Sequence, residues 1–98
     1  MCTYIIQKAD LLGSAKGPAG WFPLEAATVA FDHPFHAQFE HALLIDFMNP
    51  DKPEGRVAVE MSASSARALV KAIEAALASG HEARVDLEDP IEHVVIEL

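Results

Sequence analysis

The chain has 98 residues, of which 51% are hydrophobic and 22% are charged, with 15 acidic residues against 7 basic ones. This length favours one domain over residues 1–98, and the net charge of −8 argues against nucleic acid or an anionic membrane as a partner. The single cysteine, Cys2, has no internal disulfide partner, and no apolar run is long enough for a membrane span. We therefore expect a cytoplasmic protein.

The first half of the chain predicts three strands. Residues that favour β-structure predict strands over 2–9, 27–33 and 41–49. Between the first two strands, the glycine-rich segment 13–20 predicts a flexible loop, which the apolar segment 21–23 anchors to the body of the domain. The sheet is therefore expected to begin near the N-terminus and to be interrupted by one mobile loop.

The second half predicts one helix and further strands. Ser62 is a favourable N-cap, Gly80 is a helix-ending residue, and the segment between them predicts a helix over 62–79. The apolar stripe of this helix consists of Ala66, Leu69, Val70, Ile73 and Leu77. The other predicted elements are a turn at 49–55, a strand at 56–61, a turn at 87–90 and a last strand at 91–98.

These elements predict an α+β fold, with an antiparallel sheet of about four to five strands and one amphipathic helix (about 62–79) packed on one face. The other face of the sheet then carries Ala42, Leu44, Asp46 and Met48. A half-apolar face of this kind is often covered by a second copy of the chain, so we expect a homodimer. The alternative is a monomer in which the glycine-rich segment and Trp21 cover that face.

Three of the five histidines, His33, His36 and His41, lie within nine residues. If the second and third strands form a hairpin, His33 and His41 face each other on its more apolar side. With Glu40 or Asp32 as a further ligand, this set suits a divalent metal such as zinc, iron or nickel. The alternative is that all three histidines are structural residues of a loop. The same loop also permits an enzyme without metal, in which His36 is a general base.

Weaker signals occur elsewhere in the chain. Asp32, Trp21 and His93 are candidate contacts for an unidentified small-molecule ligand. The segment 13–20 contains glycine, serine and lysine, but their order does not match a phosphate-binding loop. Cys2 would be an N-terminal nucleophile only if Met1 were removed, and a plain thiol is the simpler interpretation.

Several short motifs together resemble a family of small bacterial proteins described as a domain of unknown function. They are MCTY at 1–4, GSAKGP at 13–18, GWFP at 20–23, DHP with His36 at 32–36, EHAL and IDF within 40–47, and RVAVE at 56–60. The resemblance covers roughly residues 1–79. It implies a bacterial, intracellular, stand-alone domain, and it implies no activity, substrate or cofactor.

Overall fold

A computed structural model describes residues 6–83 and 95–97 of the chain. Its elements are the strands β1 (Gln7–Gly17), β2 (Gly20–Asp32), β3 (Ala42–Phe47), β4 (Val57–Met61) and β5 (Val95–Glu97), the helix α1 (Ala63–Glu82) and a 3₁₀ turn (Pro53–Gly55). The strands form one antiparallel sheet in the order β4-β3-β2-β1-β5. The predicted α+β class is confirmed. No helix in the described part of the chain is long and apolar enough to cross a membrane.

The glycine-rich segment is not a loop, so that prediction was wrong. β1 continues through Gly17, and after a register shift between Asp10 and Gly13 it stays paired with β2, with Ala15 opposite Phe22. The hairpin turns at residues 18–19 and is followed by Gly20, whose φ of 109° suits glycine. Cross-strand pairing along two long strands thus outweighs the local preference of glycine. Trp21 is 70% exposed and does not anchor the segment, whereas its neighbour Phe22 is buried.

The terminal strands fall partly outside the description. Within the described residues β1 begins at Gln7, and the predicted strand over 2–9 includes positions that lie outside them. Of the predicted last strand at 91–98, Val95–Glu97 forms β5 and pairs with β1. The predicted turn at 87–90 also lies outside the described residues.

One side of the sheet, here called the covered face, carries Phe22, Ala42, Asp46 and Glu60. The strand register places alternate residues on this side, because Ala42 pairs with Asp32 and Asp46 pairs with Thr28. Two connections lie over it, the turn between β3 and β4 and the loop between β2 and β3. Beneath them Phe22 and Ala42 are buried, and Ala42 has no accessible surface.

Gly17 marks how closely the turn between β3 and β4 approaches the covered face. A Cβ at this position would lie 2.4 Å from the carbonyl oxygen of Gly55 and 3.2 Å from the ring of Phe22. Asn49 fixes the same turn, because its buried side-chain oxygen accepts hydrogen bonds from the backbone N–H groups of Asp51 (3.0 Å) and Lys52 (3.1 Å). Backbone, aromatic ring and turn are therefore packed without spare space.

The opposite side, here called the open face, carries Val29, Phe31, Leu43, Ile45 and Met61. These residues form two apolar rows across the sheet, since Phe31 and Met61 both pair with Leu43, and Val29 pairs with Ile45. The helix α1 approaches the sheet at β3 and leaves a groove of about 710 Å³ between its apolar side and this face.

The helix begins where the sequence predicted and ends later. Ser62 is the N-cap, and its Oγ accepts the backbone N–H of Ser65 at 3.1 Å. The predicted end at Gly80 was wrong, because the helix continues to Glu82 and includes His81 in its last turn. A glycine inside a helix costs only about 1 kcal/mol, which continued backbone hydrogen bonding offsets.

None of the residues of α1 is buried, and four members of its predicted apolar stripe are exposed. They are Leu69, Val70, Ile73 and Leu77. The exposed apolar surface therefore lies on the helix and the open face, not on the face of Ala42 and Asp46 where the sequence predicted it.

Candidate functional site

The loop between β2 and β3, residues 33–41, here called the histidine loop, is held to the covered face by one carboxylate. The backbone N–H groups of Phe35, His36 and Ala37 donate to the side chain of Glu60 on β4, at 2.5, 3.0 and 2.8 Å. Three successive N–H groups around an anion form a concave backbone site. The loop is thereby fixed in position although the side chain of Phe35 at its tip is 96% exposed.

This arrangement changes the acidity of Glu60. Hydrogen bonds from the backbone N–H groups of Ala37 and Phe35 favour the charged carboxylate and hold the pKa of Glu60 below its ordinary value of 4.5. His36 adds a smaller contribution of the same sign through its N–H group and its charge. Glu60 is therefore ionised at neutral pH, and three backbone N–H groups of the loop donate to its charged carboxylate.

At the base of the loop, His33 and His41 lie side by side. Their ring centroids are 4.5 Å apart, and the ring of His41 stacks on Phe31 of the open face at 5.9 Å. The predicted approach of these two histidines across the β2–β3 hairpin is confirmed. Because β2 and β3 pair in register up to Asp32 and Ala42, the two side chains continue the apolar row of the open face.

The ring of His33 has a defined orientation. Its Nδ1 lies 2.8 Å from the backbone carbonyl oxygen of Glu40, and because a carbonyl only accepts, Nδ1 carries the proton. This hydrogen bond fixes the orientation of the ring, as a hydrogen bond to a backbone carbonyl does for many metal-bound histidines. The backbone N–H of His33 donates to the carboxylate of Asp32, which holds the start of the loop.

The other predicted site residues are placed as follows. Glu40 contributes its backbone carbonyl to His33, and His36 contributes its backbone N–H to Glu60. Trp21 lies at the far end of β2, roughly 35 Å along the strand from Asp32, so the two do not share a site. His93 lies outside the described residues. Within residues 6–83 and 95–97, no group of three or more histidine, cysteine, aspartate or glutamate side chains is arranged to hold a metal ion.

A second, smaller cavity of about 370 Å³ lies on the covered face beside the turn between β3 and β4. Asp46 and Arg56 line it and form an ion pair of 3.3 Å. In the described part of the chain, Oδ1 of Asp46 is buried without a hydrogen-bond partner. This oxygen has almost no accessible surface, so a molecule in the cavity has no direct access to it.

Sequence reasoning missed Glu60 as the residue that holds the histidine loop. Alternation in the segment 56–61 puts Glu60 on the face opposite Val57, Val59 and Met61, and this gives no sign of a partner 24 positions away. A carboxylate on an edge strand next to a loop rich in backbone N–H groups is the only signal the sequence offers, and it is not specific.

The comparison with protein families gives one match. A family model covers residues 1–88, and the family is DUF6295, a family of unknown function. The chain belongs to this family. The predicted resemblance to a domain of unknown function is thereby confirmed, and the match extends beyond residue 79. Neither a curated protein nor a solved structure matches the chain.

Membership in DUF6295 assigns no reaction to the chain. The site offers two adjacent imidazoles beside an apolar groove, together with a loop fixed by a charged carboxylate. The role of His36 as a general base stays a prediction, because the hydrogen bond from His36 to Glu60 is made by its backbone N–H and not by its ring. The apolar groove, at about 710 Å³, is larger than the cavity of about 370 Å³ beside Asp46 and Arg56.

Proposed function

We propose that the protein is a homodimeric interaction module in which the groove between α1 and the open face is covered by a second copy of the chain. The observation that carries this proposal is the set of exposed apolar side chains on both walls of the groove. On the helix they include Leu69, Val70 and Ile73, which are 42%, 54% and 50% exposed. Soluble monomers rarely leave a contiguous apolar surface of this kind in water.

The charges at the rim of the groove suit a copy of the same chain. Arg67 and Glu74 both line the groove, on either side of Val70 along the helix. Two helices packed antiparallel about a two-fold axis near Val70 bring Arg67 of one copy opposite Glu74 of the other, and the reverse. The net charge of −8 favours a protein partner over nucleic acid or an anionic membrane. The single cysteine supports a cytoplasmic setting.

Light scattering after gel filtration tests this proposal with two variants. Ile73→Asp places a charge in the groove and should make the protein monomeric at micromolar concentration. Ala72→Asp should leave the dimer intact at the same concentration. Ala72 is the matched control because it is exposed on the side of α1 away from the groove. A monomeric wild-type protein, or a dimer unaffected by Ile73→Asp, contradicts the proposal.

A second candidate function is metal binding by the histidine pair. It is favoured by the 4.5 Å between the rings of His33 and His41 and by the bond from Nδ1 of His33 to Glu40. Zinc, iron and nickel all accept imidazole, and Asp32 or Glu40 would supply a carboxylate ligand. Because the described residues hold no ready set of three ligands, this site requires either a movement of the loop or further ligands from water.

Elemental analysis of protein purified without a tag or chelator tests the metal proposal. About one metal ion per chain should be found, and the double variant His33→Ala/His41→Ala should lose it. His81→Ala is the control, because His81 lies in the last turn of α1, and His36→Ala measures the third predicted ligand. Absence of metal, with none taken up on titration, would leave all three histidines as structural residues.

A further inference from the structure

The strand β4 lies at an edge of the sheet, and in the described part of the chain no strand lies beyond it. An edge strand presents every second N–H and C=O group to the outside, where another strand can pair with them. Natural proteins usually protect such edges with lysine, proline, an inward charge or a bulge. β4 lacks lysine, proline and a bulge, as its sequence and its register with β3 show.

The sequence of β4 is VAVEM, which contains neither lysine nor proline. Its register with β3 runs without interruption from Val57 to Met61, so no bulge twists the edge away. Its one charged residue, Glu60, is bound by the N–H groups of the histidine loop above the covered face. By contrast, β1 has a register shift between Asp10 and Gly13. The edge of β4 is thus open to pairing.

We propose that two copies of the chain pair along β4 in antiparallel orientation, so that their sheets merge into one continuous sheet. This inference rests on the proposed dimer and specifies its geometry. The two-fold axis stands perpendicular to the sheet at Val59, the middle residue of β4. Both open faces then lie on the same side of the merged sheet.

The connection to α1 makes this geometry consistent with burial of the groove. A single residue, Ser62, separates β4 from α1, so each helix starts beside the seam between the two copies. Antiparallel β4 strands send the two helices in opposite directions on the same side of the merged sheet, one on each side of the seam, because each α1 approaches its own sheet at β3. Leu69, Val70 and Ile73 of each helix then line the space between the helices and the joined open faces. Edge pairing alone buries little area, and the two helices supply the rest.

Disulfide trapping tests the seam directly. Residues opposed across an antiparallel pair have Cα atoms about 4.5–5.5 Å apart, within the range of a disulfide. In a Cys2→Ser background, Val59→Cys should form a covalent dimer on mild oxidation. Ala75→Cys, at an exposed position on the outer side of α1, should remain monomeric on a non-reducing gel. Ala58→Cys tests the alternative pairing in which the two-fold axis is displaced by one residue, from Val59 to Ala58.

The outcomes separate the two proposals. A dimer in solution that gives no covalent dimer with either Val59→Cys or Ala58→Cys overturns the edge pairing and leaves the groove dimer standing. A monomer in solution overturns both. Amide hydrogen exchange gives a measurement that needs no cysteine, because the outer N–H groups of β4 should be protected in the wild type and lose that protection in Ile73→Asp.

Discussion

Phe22 and Phe31 lie on the same strand, β2, yet Phe22 on the covered face is 5% exposed and Phe31 on the open face is 48% exposed. The open face is the more apolar one, with Val29, Leu43 and Ile45 around Phe31. The covered face is closed because two connections of the same chain cross it. Burial within one chain is thus decided by where the connections run, and the proposed second copy would cover the face that they leave open.

The largest expected effect is the difference in folding stability between a variant on the covered face and a variant in the groove. Phe22→Ala should lower the free energy of unfolding by about 3–5 kcal/mol, because it removes a buried ring and leaves a cavity. Ile73→Ala, at a side chain that is 50% exposed, should have little effect in dilute protein and should weaken the dimer at higher concentration. Urea denaturation at two protein concentrations measures both. Equal losses in the free energy of unfolding for the two variants would show that both side chains are buried to the same extent.

A smaller effect is expected where the covered face is most tightly packed. Gly17→Ala should destabilise the fold by about 1–3 kcal/mol, because its Cβ would press on the backbone of Gly55. Gly13→Ala, on the same strand, meets only a side-chain carbon of Leu24 at 3.9 Å and should change stability by no more than about 1 kcal/mol. Thermal melts of the pair measure the difference. A tolerated Gly17→Ala would mean that the turn between β3 and β4 yields easily.

The smallest expected effect concerns the charge of Glu60, which holds the histidine loop over the covered face. Since the pKa of Glu60 is lowered by folding, its contribution to stability is complete above its ordinary pKa of 4.5 and is lost as pH falls through the folded value. Glu60→Gln should be less stable than the wild type at pH 7, and this difference should shrink on acidification.

Urea denaturation between pH 7 and pH 3 measures this dependence. Glu54→Gln is the control, because Glu54 is exposed and accepts no backbone N–H groups from the histidine loop. A Glu60→Gln variant whose pH profile coincides with that of the wild type would show that the loop does not depend on the carboxylate charge.

The sequence by itself determined the elements whose signal is local. Residues that favour β-structure predicted β3, alternation predicted β4, the spacing of Leu69, Val70 and Ile73 predicted α1, and Ser62 gave its N-cap. The same alternation placed His33 and His41 together, because opposite residues of a hairpin share a face. These features depend on residues that are close in sequence or joined by one hairpin, so they can be predicted from the sequence without a structure.

Tertiary structure decided the features that depend on distant parts of the chain. The capture of the histidine loop by Glu60 joins residues 24 positions apart, and the contact of Gly17 with Gly55 joins β1 to a turn that follows β3. Pairing between long strands also converted a glycine-rich segment into a hairpin. Which face is covered follows from the paths of the two connections, and those paths are set by packing between distant residues, which local propensity does not encode.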